Sequence, residues 1–251
     1  MLVTLAPDSP FFAGHFPGHP ILPGIAHLAL AAEALGGASI TEIPALRLRS
    51  PVRPGDVLSV KIDGPTDAGA VRFELRRGEE VASNGSLRLG SFPEIPEIPD
   101  MEEMPAPFPP VAALLPHAPP ARLVRNVLAV SPEGLTGVAE IPGGSPFAAA
   151  GLAPAFLGFE AAAPGAAVLE ALLRQDQNDG GGASGPRIGY LVALRGARCA
   201  VGTLPVERPF RFAVRLTGSA PPLSIYEVTV AGAGGAEILR GAISTFLPPE
   251  S

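Results

Sequence analysis

Apolar and polar positions follow the same order twice along this chain. In the first half, an apolar segment with helical spacing at residues 25–35 precedes alternating runs that predict strands. In the second half, a helical segment precedes a similar series of alternating runs. The strands are predicted at 45–51, 57–62, 71–76 and 85–89 after the first helix, and at 188–201, 210–216, 224–230 and 241–246 after the second, at 155–173.

One long helix followed by an antiparallel meander predicts an α+β fold in which each sheet wraps a helix. Because the order occurs twice, we expect a duplication whose two sheets join side by side. The second half has an additional leading strand, predicted at 121–130, that the first half lacks. The segment 92–110 is rich in Pro and acid and is predicted to be an extended linker. The expected domains are therefore residues 1–91, which carry His15, and 111–251, which carry Glu160; the Gly-rich stretch 175–186 is expected to be a mobile loop.

Composition narrows the class of protein. Of the 251 residues, 47% are hydrophobic, yet no run of ~18 apolar residues is free of Pro, Gly and charge, so no membrane span is expected. The formal net charge is −6 and Lys61 is the only lysine, which disfavours a nucleic-acid partner. Cys199 is the only cysteine, and no basic, apolar leader opens the sequence, so a reduced cytoplasmic setting is expected.

The most specific segment surrounds His15, in the sequence FFAGHFPGHPILPGI at residues 11–25. Turns built from Pro and Gly bracket the histidine, and Pro20 and Pro23 keep the preceding residues extended up to a helix that starts near Gly24. The first amides of that helix lack internal acceptors and lie at the positive end of its dipole. A thioester carbonyl placed there would be polarised as in an oxyanion hole.

This segment resembles the FabA/FabZ family of 3-hydroxyacyl-ACP dehydratases, whose hallmark is a GHFPxxPxxPG run. The rest of the first half is similar to the short dehydratase-like proteins of aryl-polyene clusters. The resemblance implies a double hotdog fold. It also implies that His15 is the base on the substrate α-carbon, that the Ile21 carbonyl orients its ring, and that the amide of Gly24, beside Ile25, binds the thioester oxygen. The matching residues are Gly14, His15, Phe16, Pro17, Pro20, Pro23 and Gly24, of which Phe16 and Pro23 are expected to contact substrate.

The first half lacks the family's acid. That acid follows the histidine by fourteen places, and 15 + 14 gives position 29, which is Ala. Glu33, one helical turn further along the same face, is the alternative within this half.

The second half resembles the same family at 114–117, at 122–124 and at 155–162, where AFLGFEAA looks like the helix that carries the acid. The acid falls on Glu160, and Phe156 is expected to contact substrate. Counting back, 160 − 14 gives position 146, which is Pro.

The losses are reciprocal. In homodimeric relatives, the histidine of one subunit faces the acid of the other, so the pairing of His15 with Glu160 predicts one complete site. The opposite combination, Pro146 with Ala29, would be inactive. Pro164 stands where the family helix has Gln, and a proline inside a helix predicts a kink one turn back, near Glu160.

The resemblance implies that water is eliminated from a 3-hydroxyacyl chain carried on the phosphopantetheine of an acyl carrier protein, or on CoA, to give a trans-2-enoyl thioester. No other cofactor is expected, and no metal, because His15, His19 and His27 lack an acid or Cys cluster at ligand spacing. Further partners left open are a second copy, a partner dehydratase and a ketosynthase. Arginines 187, 195 and 198 are candidates to meet an acidic carrier protein.

Two alternatives stay open: another hotdog chemistry, either thioester hydrolysis or enoyl hydration, and a non-catalytic subunit that binds acyl thioesters or a partner dehydratase. The remaining conspicuous side chains have structural interpretations. His19 is expected in a loop and His27 on a helix surface. Structural roles are also expected for His117, Tyr190 and Cys199.

Overall fold

The computed structural model of this chain describes residues 1–66, 69–92, 108–177, 187–232 and 234–249, without the side chains of 175–177. Most of the predicted linker and most of the predicted mobile loop lie outside these ranges. The first three residues of that predicted loop instead continue a helix, which ends at Gln177.

Both predicted helices are present. Helix α1 spans Ala26–Ala34, and its Ala-rich sequence favours helix at nearly every position. It ends where Gly36 and Gly37 adopt positive φ and the Gly37 amide returns to the Ala32 carbonyl, 2.9 Å away. Helix α2 spans Ala162–Gln177 and continues directly from a 3₁₀ helix, Ala155–Ala161.

The predicted kink at Glu160 takes a different form. Pro164 is the third residue of α2, which continues without a break from the 3₁₀ helix, so it lies inside a helical segment and lacks the amide hydrogen that would donate to the preceding turn. Its ring would clash with the carbonyl of Glu160 in a continuous α-helix, and the residues up to Ala161 are 3₁₀-helical instead. The predicted proline inside a helix is present, and the chain changes from 3₁₀ helix to α-helix next to the acid.

The strands are β1 Leu2–Thr4, β2 Ile40–Leu48, β3 Val57–Pro65, β4 Val71–Arg77, β5 Glu80–Leu89, β6 Val124–Ser131, β7 Gly134–Glu140, β8 Leu152–Pro154, β9 Tyr190–Cys199, β10 Thr203–Pro205, β11 Pro209–Ala220, β12 Leu223–Ala231 and β13 Glu237–Phe246. Among the described residues, eleven of them form one antiparallel sheet in the order β1-β3-β4-β5-β2-β9-β13-β12-β11-β7-β6, and β8 pairs with β10. The first half does have a leading strand, β1, which pairs with β3, so the expectation that it lacks one was wrong. Strands β7, β8 and β10 were not predicted.

The two halves join through β2 and β9, as the side-by-side prediction requires. The strands pair antiparallel, with Ile43 opposite Ala197 and Leu46 opposite Leu194, and all four residues have no exposed surface. Burial of a leucine side chain stabilises the fold by about 2 kcal/mol, so this seam is an apolar contact as well as a hydrogen-bonded one. It fixes the position of one half against the other.

The second helical segment runs through the core. The stretch Ala155–Arg174 has the length and mean hydropathy, 1.5, of a membrane-crossing helix, but 72% of its apolar 18-residue window is buried inside the protein. The close approach of α2 to the sheet depends on Gly165, where a Cβ would lie 2.4 Å from the ring of Phe212 on β11. These contacts are those of a core helix wrapped by its sheet.

Candidate active site

His15 is held by the turns that surround it. Its backbone carbonyl accepts from the Ile21 amide at 2.9 Å, and its side-chain Nδ1 lies 3.0 Å from the Ile21 carbonyl. Because a carbonyl can only accept, Nδ1 carries the ring proton and Nε2 of the neutral ring keeps its lone pair. The predicted orienting contact of Ile21 is thus present in the geometry.

Gly14 anchors this loop to the second half. Its φ is +78°, and a Cβ would lie 2.1 Å from the Ala118 carbonyl oxygen, whereas its own carbonyl accepts from the Ala118 amide at 3.0 Å. Only glycine fits that conformation at that distance. The loop bearing His15 is therefore fastened across the interface between the halves.

Glu160 approaches His15 from the other half. Its Oε1 lies 3.6 Å from the His15 Nε2, and both residues are buried. Burial raises the pKa of Glu160 to about 7, although a hydrogen bond from the Ile25 backbone amide acts in the opposite direction. Its Oε2 has no hydrogen-bond partner among the described residues.

Burial lowers the pKa of His15 to about 4, although its backbone hydrogen bond with Ile21 raises it. The imidazole is therefore neutral at neutral pH. A neutral base with a free lone pair faces a carboxyl group that retains its proton up to about pH 7. Such a pair can exchange a proton with a group held between or beside it.

The two side chains face a cavity of about 410 Å³ whose walls come from both halves. Gly24 lines it, and no acceptor among the described residues takes its amide hydrogen. Ile25, the residue after Gly24, is fully buried, and its predicted role beside Gly24 stays a prediction. Other walls are Phe16, Leu22, Leu48, Val52, Ala163, Pro164, Ala167, Tyr190 and Leu191.

Two rings pack against His15. The ring of Phe16 stacks on it at 4.2 Å between centroids, and His117 meets it edge-on at 5.3 Å. His117 lines the cavity and is buried, and its Nδ1 has no partner among the described residues. The sequence indicated only a structural role for His117, and its place beside His15 was not predicted.

Several predicted residues lie elsewhere. Phe156 packs in the core and is absent from the described cavity walls, which corrects its expected contact with substrate. Pro23 lines a void of about 30 Å³ together with Pro146 and Glu160, so it adjoins the proposed acid, and its expected contact with substrate stays a prediction. Glu33 is exposed and does not line the cavity, which removes it as the alternative acid.

His27 was predicted on a helix surface and is instead 3% exposed, because the sheet wraps the first turn of α1. It lines the cavity. Among the three arginines considered for a carrier protein, Arg187 lines the cavity and donates to the Pro248 carbonyl. Arg195 and Arg198 are exposed on β9, where Arg198 lies 3.6 Å from Glu42.

Solved structures share this architecture. The dehydratase domain of RzxB from Pseudomonas fluorescens superposes with a TM-score of 0.67 at 15% identity, covering 98% of this chain and 93% of that one. The dehydratase domain of PpsC from Mycobacterium tuberculosis does so with a TM-score of 0.67 at 14% identity, covering 99% and 92%. The fold is that of the double hotdog proteins, as the sequence predicted.

Family comparison is more specific. The ApeI dehydratase model matches residues 1–86 and the ApeP dehydratase model matches residues 109–251. The second match extends over more than half of the sequence, and the chain belongs to the ApeP-like dehydratase family, with an ApeI-like unit ahead of it in tandem. The predicted resemblance to an aryl-polyene dehydratase pair is confirmed.

The curated relatives match a smaller part of the chain than the family models do. The 3-hydroxyacyl-[acyl-carrier-protein] dehydratase FabZ of Chlamydia trachomatis serovar L2 is 40% identical in an alignment over 97 residues, with 32% of this chain covered. FabZ of Desulforamulus reducens is 31% identical over 96 residues. The chain spans 63% of the length of the chlamydial relative.

Proposed function

We propose that this protein is a hydro-lyase that removes water from a 3-hydroxyacyl thioester and leaves a trans-2-enoyl thioester. The observation that carries the proposal is the 3.6 Å approach of the His15 Nε2 to the Glu160 Oε1 at a cavity of about 410 Å³. The first half supplies His15 and the second half supplies Glu160. Membership of a dehydratase family supports the reaction class.

In the proposed reaction, the Gly24 amide donates to the thioester oxygen and acidifies the α-carbon. His15 takes the α-proton on Nε2, and the C–H electron pair forms the new double bond. The C3–O bond breaks with its electron pair on oxygen, which takes a proton from Glu160 and leaves as water. Transfer of a proton from the His15 imidazolium to the Glu160 carboxylate then restores both groups.

The environment of each group suits its proposed role. A general acid works best when its pKa is near the working pH, and burial raises that of Glu160 to about 7. A general base must be unprotonated, and burial lowers the pKa of His15 to about 4. Burial is the main cause of both pKa changes, because it disfavours the charged form of each group.

The substrate carrier belongs to the same proposal. Acyl carrier protein is the favoured carrier because FabZ relatives are named for that substrate, and CoA is the other candidate. No further cofactor is proposed. A cytoplasmic location, and assembly with a second copy, a partner dehydratase or a ketosynthase, are also proposals.

The test is turnover of 3-hydroxyacyl-ACP of several chain lengths, followed by the loss of water in the mass of the acyl carrier. We expect turnover by the unaltered chain and a loss of at least about a hundredfold in His15→Ala and in Glu160→Gln. His19→Ala, in the same loop but outside the cavity walls, is the matched control. No turnover at any chain length would overturn the proposal in favour of a non-catalytic subunit.

Thioester hydrolysis is distinguished in the same assay. It releases a free thiol and does not require the His15 base. Thiol release that survives His15→Ala would contradict the dehydratase proposal. Hydration of an enoyl thioester is the reverse of the proposed reaction at the same site, so the concentrations of substrate and product decide the direction of net turnover.

A further inference from the structure

His27, in the first turn of α1, is a third histidine of the cavity walls, with His15 and His117. The His27 Nδ1 lies 2.8 Å from the Ser83 hydroxyl on β5, and both residues are buried. The ring lines the same cavity as His15 and Glu160. The mechanism above makes no use of this pair.

The hydrogen bond fixes which nitrogen of His27 carries the proton. Ser83 has no exposed surface, and among the described residues its hydroxyl has no partner other than His27. If the imidazole donated, the buried hydroxyl hydrogen would lack an acceptor, at a cost of about 1–3 kcal/mol. Ser83 therefore donates to Nδ1, and the neutral ring of His27 carries its proton on Nε2.

His15 and His27, two of the three histidines that line the cavity, thus hold opposite tautomers. In His15 the Ile21 carbonyl takes the Nδ1 hydrogen and leaves a lone pair on Nε2. In His27 the Ser83 hydroxyl occupies Nδ1 and leaves an N–H on Nε2. Burial lowers the pKa of His27 to about 4, so this N–H belongs to a neutral ring. One ring can accept a proton and the other can donate a hydrogen bond.

The position of His27 relates its ring to Gly24. His27 is the second residue of α1, Gly24 lies two residues before α1 begins at Ala26, and side chains in a helix lean towards its N-terminus. The ring therefore leans over the turn that contains the free amide of Gly24. Both groups line the cavity, and the nitrogen of His27 that Ser83 leaves unoccupied is Nε2.

We propose that the Nε2–H of His27 donates a second hydrogen bond to the substrate thioester oxygen, beside the amide of Gly24, with Ser83 as the positioning residue that fixes the tautomer. The inference rests on the proposed function because it assigns a role in that reaction. Removal of the α-proton places negative charge on the thioester oxygen, and a neutral imidazole can stabilise it without giving up its proton. No covalent bond to His27 forms or breaks.

The tautomer can be tested without turnover. The ¹⁵N chemical shifts of the histidine side chains at neutral pH distinguish a protonated Nε2 from a protonated Nδ1. We expect His27 as the Nε2–H form and His15 as the Nδ1–H form, with His27 alone changing in Ser83→Ala. An Nδ1–H tautomer for His27 in the unaltered chain would overturn the proposal.

The contact with the thioester is tested by infrared spectroscopy of a bound, saturated acyl pantetheine with a ¹³C-labelled carbonyl. A hydrogen bond lowers the carbonyl stretching frequency. We expect the frequency to rise in His27→Leu and to be largely restored in His27→Gln, whose side-chain amide retains a donor. An unchanged frequency in His27→Leu would overturn the proposal.

Kinetics provides the third readout. Loss of an oxyanion donor lowers kcat about a hundredfold, and we expect that in His27→Leu with little change in KM. Ser83→Ala should lower kcat by less, and His27→Gln should recover part of the loss. Ser86→Ala, a half-buried serine on the same strand and outside the cavity walls, is the control.

The outcomes separate the two proposals. If the unaltered chain does not dehydrate any substrate, the proposed function fails, while the tautomer and the carbonyl frequency still decide the role of His27. If the unaltered chain dehydrates a substrate and His27→Leu retains full kcat, only the proposal for His27 fails.

Discussion

The ring of His117 stands edge-on to the ring of His15, with 5.3 Å between their centroids. Phe16 stacks on His15 and meets His117 edge-on at 4.5 Å. His15 is therefore confined by two rings and by its hydrogen bond to Ile21. His117 comes from the second half, so the orientation of the proposed base depends on both halves.

This arrangement predicts opposite effects for two substitutions at His117. His117→Ala removes a buried ring and should lower the free energy of unfolding by about 3 kcal/mol, because a cavity remains. His117→Phe keeps the ring and removes a buried nitrogen without a partner, so stability should be equal or higher. Denaturant unfolding of both variants measures the difference.

We expect the activities of the two His117 variants to rank as their stabilities do, with His117→Phe above His117→Ala. The phenylalanine variant should keep most of the kcat for dehydration, because the ring that confines His15 is preserved. If His117→Phe loses as much kcat as His117→Ala, the nitrogen of His117 takes part in the reaction and the packing role is insufficient.

The pair formed by His15 and Glu160 predicts a pH profile for kcat/KM. Glu160 must be protonated to donate, so activity should decline as the pH rises through about 7. His15 must be neutral to accept a proton, so on the acid side activity should stay constant until the pH approaches about 4. The measured values will belong to the pair, since the two groups interact. A profile without a decline between about pH 7 and about pH 9 would contradict Glu160 as the acid.

Three buried histidines make stability depend on pH. Burial lowers the pKa from 6.5 to about 4 for His15 and His27 and to about 3 for His117. Between these values and 6.5 the unfolded chain binds more protons, so the free energy of unfolding should fall as the pH falls below 6.5. Glu160 acts in the opposite sense between 4.5 and about 7, because its pKa is raised on folding.

The measurement is denaturant unfolding at about pH 7 and about pH 5, compared between the unaltered chain and His117→Phe. The variant should lose less stability on acidification, because one of the three buried imidazoles is gone. Equal losses in the two proteins would show that His117 does not stay neutral on folding.

We expect the substitution Gly24→Ala to lower activity more than it lowers the stability of the fold. In Gly24→Ala the new methyl group would lie 2.7 Å from the Leu48 Cδ1 and 2.9 Å from the Leu191 Cδ2. These are the ends of flexible side chains, so the stability cost should be about 1 kcal/mol. Both leucines line the cavity, one from each half, and their displacement should lower kcat/KM by about tenfold or more.

The control for this substitution is Gly144→Ala. Gly144 has nothing within 4 Å of the added carbon, so both activity and stability should be unchanged. Full activity in Gly24→Ala would show that the wall around Gly24 does not contact the substrate.

Much of the fold could be predicted because its strands alternate. In β11, Phe210, Phe212 and Val214 are buried while Arg211 and Arg215 are exposed, which is a pattern with a period of two. Strand β7 was missed because Val138 and Ala139 are buried in succession. The edge strand β1 has only three residues and a half-buried Val3, too short a run to show a period.

Part of the candidate site was predicted from the family pattern, whereas the strands were predicted from their alternation. His15 and Glu160 were paired from the reciprocal losses at Ala29 and Pro146, and the structure brings their side chains together. The position of His27 could not be predicted, because α1 is apolar on nearly every face and its sequence does not indicate which face is solvated. Its partner Ser83 is 56 residues away, a contact that only the folded sheet creates.

The pairing of β2 with β9 joins two halves of one covalent chain, so both members of the proposed site belong to the same molecule. Where two separate subunits share a site, dilution separates the groups and the working fraction falls with protein concentration. Here the encounter is intramolecular, so the fraction of assembled sites is the same in a dilute solution as in a concentrated one.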